Sequence, residues 1–526
     1  MKMMYGKIKW LARLARTPRT LLLVPGLILV AAMAPSLTGC AVEDAGSGLS
    51  SILSDQLDPS AQTESELNRF AAAYATYAIP PGEAGNSEYD RQLDHFRNAF
   101  GRVRQDYVRE LDAAKLIDAA LKGMTGGENG MPEAKSVQPA DLIERALDAM
   151  TASLDPHSSY MNEQELREMN VANSGEFGGL GIEVSMQDDY VLVVTPIDDT
   201  PAYEAGLQAG DLITGLDGVS IKGKTLMDAV RMMRGRPGTT IRLTISRADL
   251  APFDVDITRA VIRVRSVRWR TEGNMGYIRV TNFSEKVEPG IARAMAELKK
   301  SLGQRLAGIV LDLRGNPGGL LRQSLALSDA FLDDGVIVSV KGRSGRHERV
   351  FRAHNGDLSD GRPIVVLINV GSASASEIVA AALQDLGRAT IMGQRSFGKG
   401  SVQTIMPLQY EGALRLTTQL YYSPNGRAIQ ARGIDPDIEL LVTPSAANDN
   451  SPSDDKAKPA RRREADLPGA LAAVGEAAPQ PHPVLAEDNC PAIGARKDRE
   501  LGCALALLKA GSAEKFLASM PQQPNM

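Results

Sequence analysis

Between about residue 91 and residue 170, apolar side chains recur every three or four positions, at Leu93, Phe96, Phe100, Val103, Tyr107 and Val108. That spacing predicts helices with one buried stripe. The segment LIERALDAMTASL ends such a helix before Pro156, because proline lacks an N–H and disfavours helical geometry in the residue before it. From 171 to 250 the period shortens to two, giving strands LGIEVSM, YVLVVTPI and TIRLTIS around one helix, TLMDAVRMMRG, with Gly and Asp where tight turns join them. From 255 to 442 the order is strand, loop, helix, as in LAGIVLDLRGNPGGLL and PIVVLINVGSASASEIVAAALQDLGRA, which predicts an α/β core. Two stretches are polar and rich in small residues. Residues 40–90 read as a flexible tether, and 443–483 as a disordered linker before a short amphipathic helix, RELGCALALLKAG, in 484–526. The fold class expected is therefore α/β multidomain, with a helical N-terminal region, a small β-domain with helices, an α/β core and a short helical C-terminal segment.

Composition adds an address. The chain has 526 residues, 43% hydrophobic and 23% charged, enough to bury several cores. Its first 39 residues differ: Lys2, Lys7, Lys9, Arg13, Arg16 and Arg19 precede the apolar run LLLVPGLILVAAMAPSL, which reads as an export signal. The run ends in LTGC, which resembles the bacterial lipobox and implies cleavage before Cys40 and lipidation there, ahead of an uncleaved anchor or ordinary cleavage. Acyl chains on that residue would tether the protein to a membrane on the periplasmic side of a bacterial envelope. Removal of the six basic leader residues takes the formal charge from −5 to −11, and an acidic chain argues against nucleic acid as the main partner. Cys490 and Cys503 then remain, either as a disulfide or as two unpaired thiols. Neither they nor the scattered histidines have metal-ligand spacing, and no cofactor is expected.

Candidate chemistry gathers in two loops. GQRSFGKGSV resembles a phosphate-binding loop, but Gly400 stands where a magnesium-binding Ser or Thr belongs, and the following residues are β-branched and apolar rather than a helix start. Lys399 therefore needs another task. Upstream, a buried strand runs into Gly371, Ser372, Ser374 and Ser376, and Glu377 opens an apolar helix. A serine at such a turn lies near amides that the helix leaves unpaired, which could stabilise an oxyanion. Taken alone, the three serines are ordinary helix-cap residues.

Two resemblances sharpen the reading. GGLGIEV and AGLQAGDLITGLDG match, in order, segments of a PDZ domain, which implies that Leu180, Gly181 and Ile182 receive a peptide's terminal carboxylate while the strand pairs with the peptide. LDPHSSYM, LDLRGNPGGLL, GSASASEIVAAALQD and SFGKGSVQ, in that order over about residues 91–442, resemble the C-terminal processing peptidases, or tail-specific proteases. That resemblance implies a serine-protease core of the ClpP/crotonase-like type, with Ser374 as nucleophile, Lys399 as general base and Gln403 orienting the lysine. It also assigns the oxyanion hole to the amides of Ala375 and Gly318, with Gly319 close behind. Lysine can accept a proton from serine only where its ammonium is disfavoured, and burial would do that. The expected activity is an endopeptidase that captures the C-terminal tail of unfolded or tail-exposed exported proteins. Family analogy also admits gating by the PDZ domain, a periplasmic helical-repeat adaptor and a homo-oligomer. A catalytically inactive, membrane-tethered PDZ scaffold is the alternative.

Overall fold

A computed structural model describes residues 59–78, 87–126, 137–197, 199–247, 250–263, 265–343, 348–441, 462–475, 481–495 and 497–520. The export signal, Cys40 and the first part of the expected tether lie outside the described residues.

A seven-stranded sheet forms the centre, in the order Val267–Glu272, Met275–Val280, Gly308–Asp312, Ile364–Ile368, Ala389–Gly393, Ile438–Leu441 and Val484–Ala486. Its first pair is antiparallel and the rest are parallel. GIVLD and IVVLI are buried throughout, as parallel strands covered on both faces must be. Alternate residues serve different layers. Ile309, Leu311, Ile364, Val366 and Ile368 pack with helices Val287–Leu302, Leu321–Asp329 and Ala375–Asp385. Val310, Val365 and Leu367 pack with Leu501, Leu505, Leu508 and Phe516 of the C-terminal helices Arg499–Ala510 and Ala513–Ser519. The C-terminal segment is thus the second covering layer of the core, and a Cys490–Cys503 disulfide closes it.

A second sheet pairs Ser401–Pro407, Ser159–Met161 and Val336–Gly342 with the long strand Ala413–Tyr422. Leu414, Leu416 and Leu420 of that strand meet the helices Pro59–Tyr77, Ser87–Asp106, Ala113–Met124 and Pro139–Ala152 in one apolar cluster. The small β-domain is a separate sheet whose main path runs Ile182–Gln187, Tyr190–Pro196, Leu212–Leu216, Thr240–Ser246 and Phe253–Thr258, with its own core. A ribbon of Glu176–Gly179 paired with Ala260–Arg263 joins its entry to its exit.

Three boundaries differ from the sequence expectation. Residues 59–77, read as tether, form a helix in which Leu67, Phe70 and Tyr74 recur at helical spacing, with Phe70 and Tyr74 fully buried. Polar and alanine-rich composition masked that stripe. Phe253–Thr258 belongs to the small β-domain, because it pairs residue for residue with residues 240–245, so the core's first strand is Val267–Glu272. Residues 462–475, placed in a disordered linker, are folded, with Glu464 and Leu471 buried.

Phe70 stacks on Phe96 with ring centroids 3.7 Å apart. Phe70→Ala is expected to cost about 3–5 kcal/mol in urea unfolding. A change below about 1 kcal/mol would show that this helix is an accessory to the fold.

Candidate active site

The sheet delivers two loops to the same end. After Gly308–Asp312 the chain turns through Gly315, Asn316 and Pro317 to Gly318 and Gly319; after Ile364–Ile368 it turns through Gly371 to Ser374. These turns touch at backbone level. A Cβ on Gly371 would lie 2.9 Å from Gly315 Cα, closer than a side chain permits. Asn369 Oδ1 accepts from the amides of Gly315 (2.9 Å) and Gly371 (3.0 Å), and Asn316 O accepts from Ala373 N (3.0 Å) and Ser376 Oγ (2.9 Å).

Geometry separates the three serines. Ser372 and Ser376 are fully buried, and their hydroxyls donate to Leu313 O and Asn316 O. Ser374 keeps solvent access and stands at φ 54°, a left-handed conformation that a non-glycine residue adopts only under constraint. The helix Ala375–Asp385 begins at the next residue. Ala375 is therefore at the helix start, where the first amides have no partner within the helix.

The constraint is Glu377. Its carboxylate is fully buried and receives Ser374 N (2.7 Å), Gly398 N (2.7 Å), Lys399 N (2.9 Å) and Ser396 Oγ (2.5 Å). One side chain thus ties the serine turn to the lysine loop. Burial pushes its acid up to about 7, against the pull of those four hydrogen bonds. Gly400 is required by packing, since a Cβ there would lie 2.1 Å from Gln430 N, and the chain then enters strand Ser401–Pro407. A phosphate-binding loop would enter a helix at that point, so the local fold removes that reading.

Burial lowers the pKa of Lys399 from its usual value; Glu464, Asp155 and Glu377 oppose that effect and Arg415 reinforces it. Gln403 Nε2 donates to Ser401 Oγ (2.9 Å) and Thr417 Oγ1 (3.3 Å), not to Lys399. Thr417 Oγ1 donates to Asp155 Oδ1 (3.1 Å), which also accepts from His157 N (2.8 Å). Gln403 therefore reaches the LDPHSSYM turn through Thr417, and in this conformation its amide nitrogen does not orient the lysine. Gly318, assigned an oxyanion-hole amide, donates instead to Asn316 Oδ1 (2.9 Å). It nonetheless lies against the residue after Ser374, since a Cβ on Gly318 would come within 3.0 Å of Ala375 N.

In the small β-domain, the carbonyls of Leu180 and Gly181 face inward, accepting from Ala202 N (2.9 Å) and Ile197 N (2.8 Å). Gly181 has φ +81°, and a Cβ there would lie 2.3 Å from Thr200. Ile182 begins the sheet's end strand, Ile182–Gln187, which has one strand neighbour among the described residues. An open edge of this kind accepts an added strand.

Arg314, beside the glycine turn, pairs with Asp312, Asp498 and Glu500, so the C-terminal helix holds this loop from outside. Sequence reading missed Glu377, Asp155 and Glu464 as members of the site. A signal existed for Glu377, because Ser-x-x-Glu is the spacing of a capping box.

An α/β core with a partly exposed serine on a constrained turn, a partly buried lysine and a β-domain with an open sheet edge defines a serine-type peptidase. The family model for peptidase family S41 matches residues 274–440, and that for a PDZ domain matches 178–257. A carboxy-terminal-processing protease of Bartonella bacilliformis is 49% identical over 350 residues, covering 66% of this chain and 75% of that one. The carboxy-terminal processing protease CtpA of Bacillus subtilis is 33% identical over 360 residues, covering 68% of this chain and 71% of that one. A solved photosystem II D1 C-terminal processing protease is 28% identical, with a TM-score of 0.43, covering 68% of this chain and 94% of that one. This chain belongs to peptidase family S41, with the carboxy-terminal-processing proteases.

Because burial raises the Glu377 acid, the stability its neutral form contributes is complete below the ordinary carboxyl range and is lost as pH rises through about 7. Urea midpoints should fall across that window. Glu377→Gln should flatten the fall, destabilise by about 1–3 kcal/mol for each amide left unpaired, and cut kcat/KM about a hundredfold by releasing both loops. Unchanged kinetics in a folded Glu377→Gln protein would refute the tie between them.

Proposed function

We propose that this chain is an exported, lipid-anchored endopeptidase that binds the C-terminal tail of other exported proteins in its PDZ groove and cleaves them by a Ser-Lys mechanism. The observation that carries it is the shared Glu377 carboxylate, which ties the backbone of Ser374 to that of Lys399 while burial disfavours the lysine's ammonium. Anchoring rests on the basic leader and the LTGC segment ending at Cys40.

Ser374 Oγ attacks the peptide carbonyl as its proton passes to neutral Lys399 Nζ. The oxyanion forms beside the Ala375 amide at the helix start, with the Gly318–Gly319 turn opposite; Gly318 N contributes once it is released from Asn316 Oδ1. The resulting ammonium gives its proton to the leaving amine, and the acyl-serine ester remains. Lys399 Nζ then takes a proton from water, whose oxygen attacks the ester; as the bond from the acyl carbon to Ser374 Oγ breaks, the ammonium gives that proton to Oγ, which restores the serine hydroxyl and the neutral amine. The substrate enters as an added strand on Ile182–Gln187, its terminal carboxylate against the amides of Leu180, Gly181 and Ile182.

The test is hydrolysis of an unfolded protein with an apolar C-terminus by the soluble chain lacking its leader, with a tail peptide added to fill the groove. Ser374→Ala and Lys399→Ala should each lose activity by about a thousandfold or more, with tail-peptide binding intact. For wild type, kcat/KM should rise with pH along a limb centred below the usual lysine value, because the neutral amine is the active form. Normal cleavage by Lys399→Ala would sink the mechanism, and inert wild type that still binds tail peptides would favour the scaffold.

A further inference from the structure

The folded stretch 462–475 takes no step in the mechanism above, yet it crosses the lysine loop. Glu464, fully buried, donates its backbone N–H to Phe397 O (3.1 Å), two residues before Lys399. Its Oε1 accepts from Gln430 Nε2 (2.9 Å), and Gln430 Oε1 accepts from Gly400 N (2.9 Å), the residue after Lys399. Its Oε2 pairs with His157 Nε2 at 2.8 Å, in the LDPHSSYM turn. Leu471 anchors the far end of the stretch in the apolar cluster of the N-terminal helices, and its carbonyl also accepts from Gln430 Nε2 (3.2 Å).

We propose that Glu464 is a positioning residue for Lys399, and that the strap 462–475 is a working part of the peptidase site rather than a linker. The proposal rests on the Ser-Lys reading. Structurally, the strap grips the lysine loop on both sides and fastens it to the helical region through His157. Electrostatically, Glu464 favours the lysine's ammonium, against the burial that disfavours it. The ionisable groups facing Lys399 come from four elements: Glu464 on the strap, Asp155 before the Ser159–Met161 strand, Glu377 on the helix after Ser374, and Arg415 on the long strand. An anionic Glu464 holds the lysine's proton more tightly than burial alone would, and so moves the active pH range upward. Removing that charge should move it down. His157 pairs with Oε2, so the comparison is made in a His157→Asn background, where only the charge at position 464 changes.

The measurement is the pH titration of the Lys399 13Cε resonance in the full mature chain carrying His157→Asn and Ser374→Ala, assigned by loss of the signal in Lys399→Arg. Glu464→Gln should lower the midpoint by about half a pH unit or more, and Glu464→Asp should lie between it and the parent. With Ser374 restored, the acid limb of kcat/KM should shift by the same amount while KM for the substrate stays within about twofold. An unmoved midpoint, with activity lost equally at every pH or only the thermal midpoint lowered, would overturn the proposal. Should Glu464→Gln not fold, the same reading on Glu464→Asp decides, an unmoved midpoint again refuting. Because the resonance reports Lys399 whether or not a bond is cut, an inert wild type would count against the peptidase reading alone.

Discussion

The site depends on a single buried carboxylate. Glu377 takes hydrogen bonds from the amides of Ser374, Gly398 and Lys399 and from the Ser396 hydroxyl, in a place with no access to water. A buried acceptor that satisfies several backbone donors is expensive to lose, because each donor left alone would keep its desolvation cost. The left-handed turn at Ser374 is held open by this arrangement. Two loops that the chain separates by some twenty residues therefore act as one unit.

Around that unit the chain builds support from distant parts. The glycine turn is held through Arg314 by Asp498 and Glu500, at the start of the C-terminal helix. The lysine loop is held through Glu464 by the strap, and the strap by His157 and Leu471. The segment beyond residue 442 thus contributes a covering layer to the central sheet, the last strand of that sheet and a buried contact with the lysine loop. A buried strand with two apolar faces requires two covering layers, and the second came from residues that composition alone assigned to the periphery.

Much of this was legible in advance. Apolar spacing located the helical region, the small β-domain and the α/β core, and ordered motifs located the serine turn and the lysine loop. The boundary at 250 failed because alternation marks a strand without naming its partner, and Phe253–Thr258 pairs backward. The tether reading failed at Leu67, Phe70 and Tyr74, where three apolar residues in a polar, alanine-rich stretch suffice once a cluster exists to receive them.

What the sequence by itself determined were the local instructions: period two or period 3.6, glycine where backbones meet, a serine at a strand-to-helix turn and a lysine without the hydroxyl neighbour of a phosphate loop. Only the tertiary structure decided which serine keeps access to solvent, where Gln403 and Gly318 direct their N–H groups, and that Glu377 and Glu464 grip the lysine loop. The physical reason is range. Dihedral preference and amphipathic pattern act over a few residues, whereas hydrogen-bond satisfaction in a buried site joins whichever donors and acceptors folding brings together.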